Sequence, residues 1–271
     1  MSRGTRCGPT NLGPERGRQQ VRPVFSSTVR LGPGGKALMP LRLEPVRDRK
    51  LDRLIKATPE RSIRKGEVLF RRGDPANHVL LVREGHVALR LRGSAGSYRT
   101  IAVAGPSEFF GEEGMVPGAV RSYTSVAGEE GAILPLDGPE MRATLRTSQH
   151  TLTAYLEVKE RDLLLVRSAV TGSPGTTARE RLAEVILDLA ERLGKPAGQD
   201  VLIPHWFTHR ELADLAGAHR STVTTALNDW IWRGVLVTRG RSLVLARGGV
   251  GTLRAQAAVH SHSVDQNPRQ D

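Results

Sequence analysis

Two periods of apolar residues divide the chain. Over 62–137 they come in short runs bounded by glycine: VLFRRGD, HVLLVREGHVALRLRG, RTIAVAG, RSYTSVAG and EGAILPLDG. Many short strands with glycine turns predict a closed antiparallel roll or jelly roll. From Pro139 to Val170 nearly every residue tolerates a helix, and Leu152, Leu156, Leu163, Val166 and Val170 fall at spacings of 4, 7, 3 and 4, with Lys159 at the missing step. That is a heptad seam over about two and a half heptads, which predicts a dimerising helix; the alternative is an amphipathic helix packed on its own domain. Gly172, Ser173, Pro174 and Gly175 break it as a hinge. After the hinge, RERLAEVILDLAERLG places Leu182, Val185, Ile186, Leu189 and Leu193 on one helix face, with Gly194 at its end.

The stretch Phe207–Leu227 has the pattern of two short helices joined by a tight turn. Thr208 is a good N-cap, and Glu211 three residues on completes a capping box. Leu212, Leu215 and Ala216 face inward, Ala213 allows close approach, and Gly217 permits the turn. His219 or Arg220 opens the second helix, with Val223 and Leu227 as its buried face. Ser221, Thr222, Thr224, Thr225 and Asn228 are left outward beside Arg220, a row of hydrogen-bonding groups without bulk that suits a DNA major groove. An ordinary helical hairpin in a larger core is the bland alternative. Two short apolar strands then flank Arg239-Gly240-Arg241, which predicts a β-hairpin wing whose arginines meet phosphates.

Charge sharpens this picture. The chain has 271 residues and a formal net charge of +12. Half of that excess lies in residues 1–38, a Gly/Pro/Arg-rich segment without periodicity that reads as a disordered tail. The other basic concentration is 205–254, where seven arginines face Glu211, Asp214 and Asp229. A folded nucleic-acid surface is therefore expected there. Met39 opens a more protein-like stretch and is a candidate start of translation, and residues 255–271 read as a second solvated tail; His260 and His262 there are two metal-ligand types, but two ligands without a third make a poor site, so they read as exposed histidines. The single cysteine, Cys7, excludes an internal disulfide and Cys-ligated zinc or iron–sulfur sites. No apolar run reaches membrane-spanning length, so no membrane partner and a cytoplasmic location are expected.

With these motifs in place, residues 45–247 resemble the cyclic-AMP receptor protein/FNR family of bacterial transcription regulators. GEVLFRRGDPANHVLLVREGHVALRL is similar to the family's opening roll strands, with Gly66, Gly73 and Gly85 at its turns. FFGEEGMVPGAVRSYTSVA is similar to its phosphate-binding cassette, and the segment from RERLAEVILDLA to the wing to its DNA-binding domain. The resemblance implies an α+β chain: an N-terminal antiparallel, cyclic-nucleotide-binding-like β-roll, a long dimerisation helix and a C-terminal winged helix-turn-helix. The boundaries expected are a tail over 1–38, the roll over 39–138, the helix and hinge over 139–172, the DNA-binding domain over 173–254 and a tail over 255–271.

The resemblance also implies roles. Arg121 is expected to pair with a cyclic phosphate, Glu112 to accept from the ribose 2′-hydroxyl, and Ser122 with the amides near Gly111 and Glu112 to complete the cradle. Cyclic AMP is the effector favoured. Where relatives place a Thr-Ser pair against adenine, this chain has the mostly leucine zone 163–168, in which Arg167 and Ser168 are the polar candidates. In the second helix Arg220 is retained, whereas Ser221 and Thr225 replace a longer acidic residue and an arginine of the cyclic-AMP receptor protein. DNA contacts are expected from Thr208, His209, His219, Arg220, Ser221, Thr222, Thr224, Thr225, Asn228, Arg239 and Arg241, on a two-fold symmetric site. A homodimer and RNA polymerase are the expected protein partners.

Three other readings compete. An enzyme on a cupin-like roll needs clustered metal ligands, for which His78, His86 and Glu84 are the nearest set and lack convincing spacing. A haem sensor needs axial ligands, and His78 and His86 read better as exposed or structural histidines. A ligand-independent architectural DNA binder differs from the leading reading only in its response to nucleotide. Neither catalysis nor a metal is expected.

Overall fold

The computed structural model describes residues 49–93, 97–149, 151–153, 155, 156, 159, 176–203, 207–240 and 242–257. Tails 1–38 and 258–271, the hinge, and Leu163, Val166, Arg167, Ser168, Val170 and Arg241 lie outside them.

Helix α1 (Arg49–Ala57) buries Leu51 and Leu54, three apart on one face. Eight strands follow: β1 (Arg61–Ile63), β2 (Val68–Phe70), β3 (His78–Glu84), β4 (Val87–Arg92), β5 (Tyr98–Ala104), β6 (Phe109–Phe110), β7 (Thr124–Ala127) and β8 (Gly131–Asp137). They form two antiparallel four-stranded sheets, ordered β1-β8-β3-β6 and β2-β7-β4-β5. Strand β3 explains its continuous apolar run. Leu80 and Val82 enter the cluster between the sheets with Phe70, Val87, Phe110 and Ile133. Val79 and Leu81 point the other way, into a cluster with Leu51, Leu54, Met141, Leu145 and Tyr155. Alternate residues of one strand thus fill two cores, and period-2 polarity disappears. Gly85 turns the chain from the first sheet to the second: its φ is +80°, and an added Cβ would lie 2.9 Å from the Glu130 carbonyl oxygen.

The expected continuous helix from Pro139 is interrupted. Helix α2 (Gly138–Thr147) starts on Asp137, whose carboxylate accepts from the Glu140 amide, and ends at Ser148, which is extended. Thr144 donates to the Glu140 carbonyl at 3.0 Å and Thr147 to the Thr144 carbonyl at 3.1 Å. The Ser148 hydroxyl then takes the Thr151 amide at 3.3 Å, and the described residues 149, 151–153, 155, 156 and 159 are helical again. Helix formers alone do not reveal such a break: serine and threonine side chains compete locally for the backbone.

The C-terminal unit comprises α3 (Ala178–Leu193), β9 (Lys195–Ala197), β10 (Asp200–Ile203), α4 (His209–Leu215), α5 (Arg220–Trp232), β11 (Leu236–Arg239), β12 (Ser242–Leu245) and α6 (Arg247–Ala257). Leu182, Ile186, Leu189 and Leu193 of α3 are buried with Leu212, Val223, Leu227 and Trp230. The four strands form one antiparallel sheet, ordered β11-β12-β10-β9, so the expected wing is half of a larger sheet. Helix α6 is a second correction, because residues 255–257, expected in the tail, are its last turn. Its glycines are poor helix formers. Packing overrides them: Leu253 is fully buried, Trp230 Nε1 donates to Gln256 at 3.0 Å, and a Cβ on Gly249 would lie 2.3 Å from the Val235 carbonyl oxygen.

The two units meet along β4, β5 and the loop before β6. Arg90 pairs with Glu211 at 2.9 Å, and the Thr100 amide donates to Asp214 at 3.0 Å. Arg192 of α3 donates through Nε to Glu108 at 2.6 Å, and its other nitrogens reach Asp188 and the Val103 carbonyl.

Candidate nucleic-acid interface and effector site

The helix pair is built as its sequence requires. The Thr208 hydroxyl accepts from the Glu211 amide at 3.1 Å, and the Glu211 carboxylate accepts from the Thr208 amide at 2.9 Å. The turn is closed by Gly217 at φ +57°, with the Ala218 amide on the Ala213 carbonyl at 2.9 Å and the Gly217 amide on that of Asp214 at 3.3 Å. That is a Schellman closure, which favours glycine. Arg181 of α3 braces the same turn, donating to the carbonyls of Ala216 and Gly217, each at 2.9 Å.

His219 caps α5 by backbone geometry without a side-chain bond. His219, Arg220, Ser221, Thr222, Thr225 and Asn228 are exposed, with Val223, Ala226, Leu227 and Trp230 buried behind them. Thr208 and Arg239 are exposed as well. Two expectations change. Thr224 is half-buried, and its hydroxyl bonds His209 Nδ1 at 2.9 Å while donating to the Arg220 carbonyl at 2.9 Å. His209 is half-buried in the same contact. These two side chains lock α4 to α5, because Thr224 sits where the helices cross rather than on the outer face. The Thr225 hydroxyl donates to the Ser221 carbonyl at 3.1 Å.

The cassette follows β6. Gly111 is left-handed at φ 75° and caps a 3-10 turn over Glu112–Met115. An added Cβ there would lie 2.6 Å from an Arg121 nitrogen. Arg121 is only 5% exposed. It donates to the carbonyls of Gly111 and His78, each at 2.8 Å, and lies 4.2 Å above the Phe70 ring. Burial lowers the Arg121 pKa, and Glu113 opposes the shift most. Glu112 pairs with Lys159, whose ammonium also donates to the Phe109 carbonyl at 3.1 Å. Lys159 therefore faces the cassette rather than filling a step of the seam. Leu152 and Leu156 of that seam are exposed.

Three residues absent from the expected site complete it. Tyr123 accepts the Gly111 amide at 2.7 Å, and burial raises its pKa, so the phenol stays neutral. Glu113 accepts from the Ser122 amide at 3.1 Å and from its hydroxyl. Phe70 floors the guanidinium. No spacing rule marks them, since each acts through the fold of the loop. Beside the cassette lies a cavity of about 500 Å³, lined among others by Leu89, Phe110, Tyr123, Tyr155, Lys159 and Leu189. It touches the roll, the helical residues Tyr155, Leu156 and Lys159, and the DNA-binding unit together.

His86 is buried, bonds Glu129 through Nδ1 at 3.1 Å and lies 5.9 Å from the Phe207 ring. Burial lowers its pKa, and the Glu129 hydrogen bond opposes this. His78 is exposed at the start of β3. Among the described residues no three His, Cys, Asp or Glu side chains gather as a metal site, and no helix is long and apolar enough to cross a membrane.

Residues 60–148 match the family described as "Cyclic nucleotide-binding domain", and residues 180–248 that described as "Crp-like helix-turn-helix domain". The chain is 30% identical over 198 residues to the cyclic AMP receptor protein of Thermus thermophilus, covering 72% of this chain and 82% of that one. It is 26% identical over 182 residues to a CRP-like cAMP-activated global transcriptional regulator of Mycobacterium tuberculosis, covering 67% and 81%. Its fold matches that of a CRP-family transcriptional regulator from Thermus thermophilus, with a TM-score of 0.58 and 23% identity over 73% of this chain and 96% of that one.

Proposed function

We propose a working mechanism from one premise: the chain belongs to the cyclic-AMP receptor protein/FNR family of bacterial transcription regulators. It is a DNA-binding regulator of that family and not an enzyme. In the proposed mechanism two copies pair along the seam that begins at the exposed Leu152 and Leu156. Each inserts α5 into successive major grooves, with half-sites about one helical turn apart. Arg220 reads a guanine through O6 and N7, while Ser221, Thr222, Thr225 and Asn228 make shorter contacts. Arg239 and Arg241 hold phosphates, which position the protein without reading sequence. The complex works in the cytoplasm with RNA polymerase.

The effector is a cyclic nucleotide in the roll, with cyclic AMP favoured. One observation carries effector control. Strand β6 and its flanks touch three parts of the molecule: Glu108 holds Arg192 of the DNA-binding unit, the Phe109 carbonyl holds Lys159 of the helical residues that follow Ser148, and Gly111-Glu112 form the cassette. A ligand that binds one arrangement of this strand better than another biases both helices at once. The test is DNA binding by the full chain with and without millimolar cyclic AMP, read by fluorescence anisotropy on a selected site. A tightening of about tenfold or more, equivalent to about 1.4 kcal/mol, is expected. Unchanged affinity leaves the ligand-independent DNA binder.

A further inference from the structure

The cassette already contains an anion. The Glu113 carboxylate takes both hydrogen-bond donors of Ser122, its amide at 3.1 Å and its hydroxyl. Its second oxygen lies 3.7 Å from an Arg121 nitrogen. These are the donors that the effector reading gives to a phosphate. Of the two further amides expected in that cradle, the one at Gly111 is held by Tyr123. Charge tells the same story: the cations Arg121 and Lys159 are matched by Glu113 and Glu112. A singly charged cyclic phosphate entering beside two carboxylates meets no net attraction. Yet the arrangement is incomplete, because Glu113 Oε2 and Arg121 Nε are buried without a hydrogen-bond partner. Buried, unsatisfied polar atoms cost stability, so a ligand able to satisfy the guanidinium has something to gain there.

We propose that Glu113 is an internal occupant of the phosphate cradle, and that a cyclic nucleotide binds by displacing its carboxylate from Ser122 and Arg121. The proposal rests on the cyclic-nucleotide reading of the roll and adds its threshold. Glu113 holds the site closed to nucleotide at low concentration, and its departure exposes the Ser122 donors and one face of Arg121. Glu113 is thus a specificity-determining residue. It disfavours anions that make few other contacts, and it favours a ligand that also fills the adjoining cavity of about 500 Å³.

The test is calorimetric titration of the full-length wild type, Glu113→Gln and Glu113→Ala with cyclic AMP. The Gln variant keeps the side chain's size and removes its charge, and the Ala variant empties the position. Both should bind at least about tenfold more tightly than wild type, as expected when a like charge leaves an anion site. The Ser122 amide resonance should also move in both variants before any ligand is added, since its acceptor changes. Affinities within about twofold of one another in three folded proteins, with the Ser122 resonance unmoved, overturn the displacement while leaving nucleotide binding intact. Absence of heat from all three at millimolar nucleotide overturns the cyclic-nucleotide reading and the displacement together.

Discussion

Glu108→Ala removes the centre of the contact between roll and DNA-binding unit. Glu108 and Arg192 side chains are each only 10% exposed. The Glu108 carboxylate accepts from Arg192 Nε at 2.6 Å and from the Gly105 amide at 2.9 Å. Truncation leaves a buried amide without its acceptor, worth about 1–3 kcal/mol. It also leaves Arg192 half-compensated. Stripping a buried charge of its whole partner costs about 3–5 kcal/mol, but here Asp188 remains at 2.7 Å and the Val103 carbonyl stays in reach. The expected net loss is therefore about 2–4 kcal/mol. All three tryptophans, Trp206, Trp230 and Trp232, lie in the C-terminal unit, so fluorescence follows that unit while far-UV dichroism follows both. In urea the variant's fluorescence transition should move to lower denaturant than its dichroism transition. A double-mutant cycle with Arg192→Ala should give a coupling of at least about 1.5 kcal/mol. Effects additive to within about 0.5 kcal/mol refute the claim that this pair joins the two units.

Two further outcomes follow from named residues. Leu156→Asp places a charge on the exposed start of the seam and should raise the dimer dissociation constant about a hundredfold or more, read by light scattering; an unshifted dimer moves the interface elsewhere. Burial holds His86 below its ordinary value of 6.5, so the unfolded chain takes up a proton that the fold resists. Stability is then fully present above about pH 6.5 and falls as pH drops below it, while His86→Gln should flatten that slope in melting curves between about pH 7.5 and 5.5; parallel curves for the two proteins contradict the assignment.

The helix pair was legible because its signals are local. Thr208 and Glu211 cap within one turn, and Gly217 supplies a left-handed residue that few others adopt. Strands β3 and β4 were legible as apolar runs, but not their division between two sheets, which depends on Gly85 and long-range pairing. Helix α6 was hidden behind three glycines, of which Gly249 packs against the Val235 backbone. The break at Ser148 depends on one hydroxyl choosing the next helix over the last. In the cassette the residue types were readable, and their occupancy was not. Glu113 and Tyr123 enter the cradle because a 3-10 turn and a left-handed Gly111 aim the loop inward.

The central claim is that α5 reads DNA sequence through Arg220. The direct measurement is binding-site selection with the full chain, wild type against Arg220→Ala, from a randomised duplex pool. The wild type should select a two-fold symmetric site with one dominant guanine in each half and tolerant neighbours, since Ser221 and Thr225 reach less far than longer side chains. Arg220→Ala should lose about 1–3 kcal/mol on that site and flatten the preference at that one base. Arg239→Ala should instead weaken all sequences about equally and lower the salt slope by about one. An Arg220→Ala protein that returns the full wild-type preference contradicts the account, because α5 would then not be the reader.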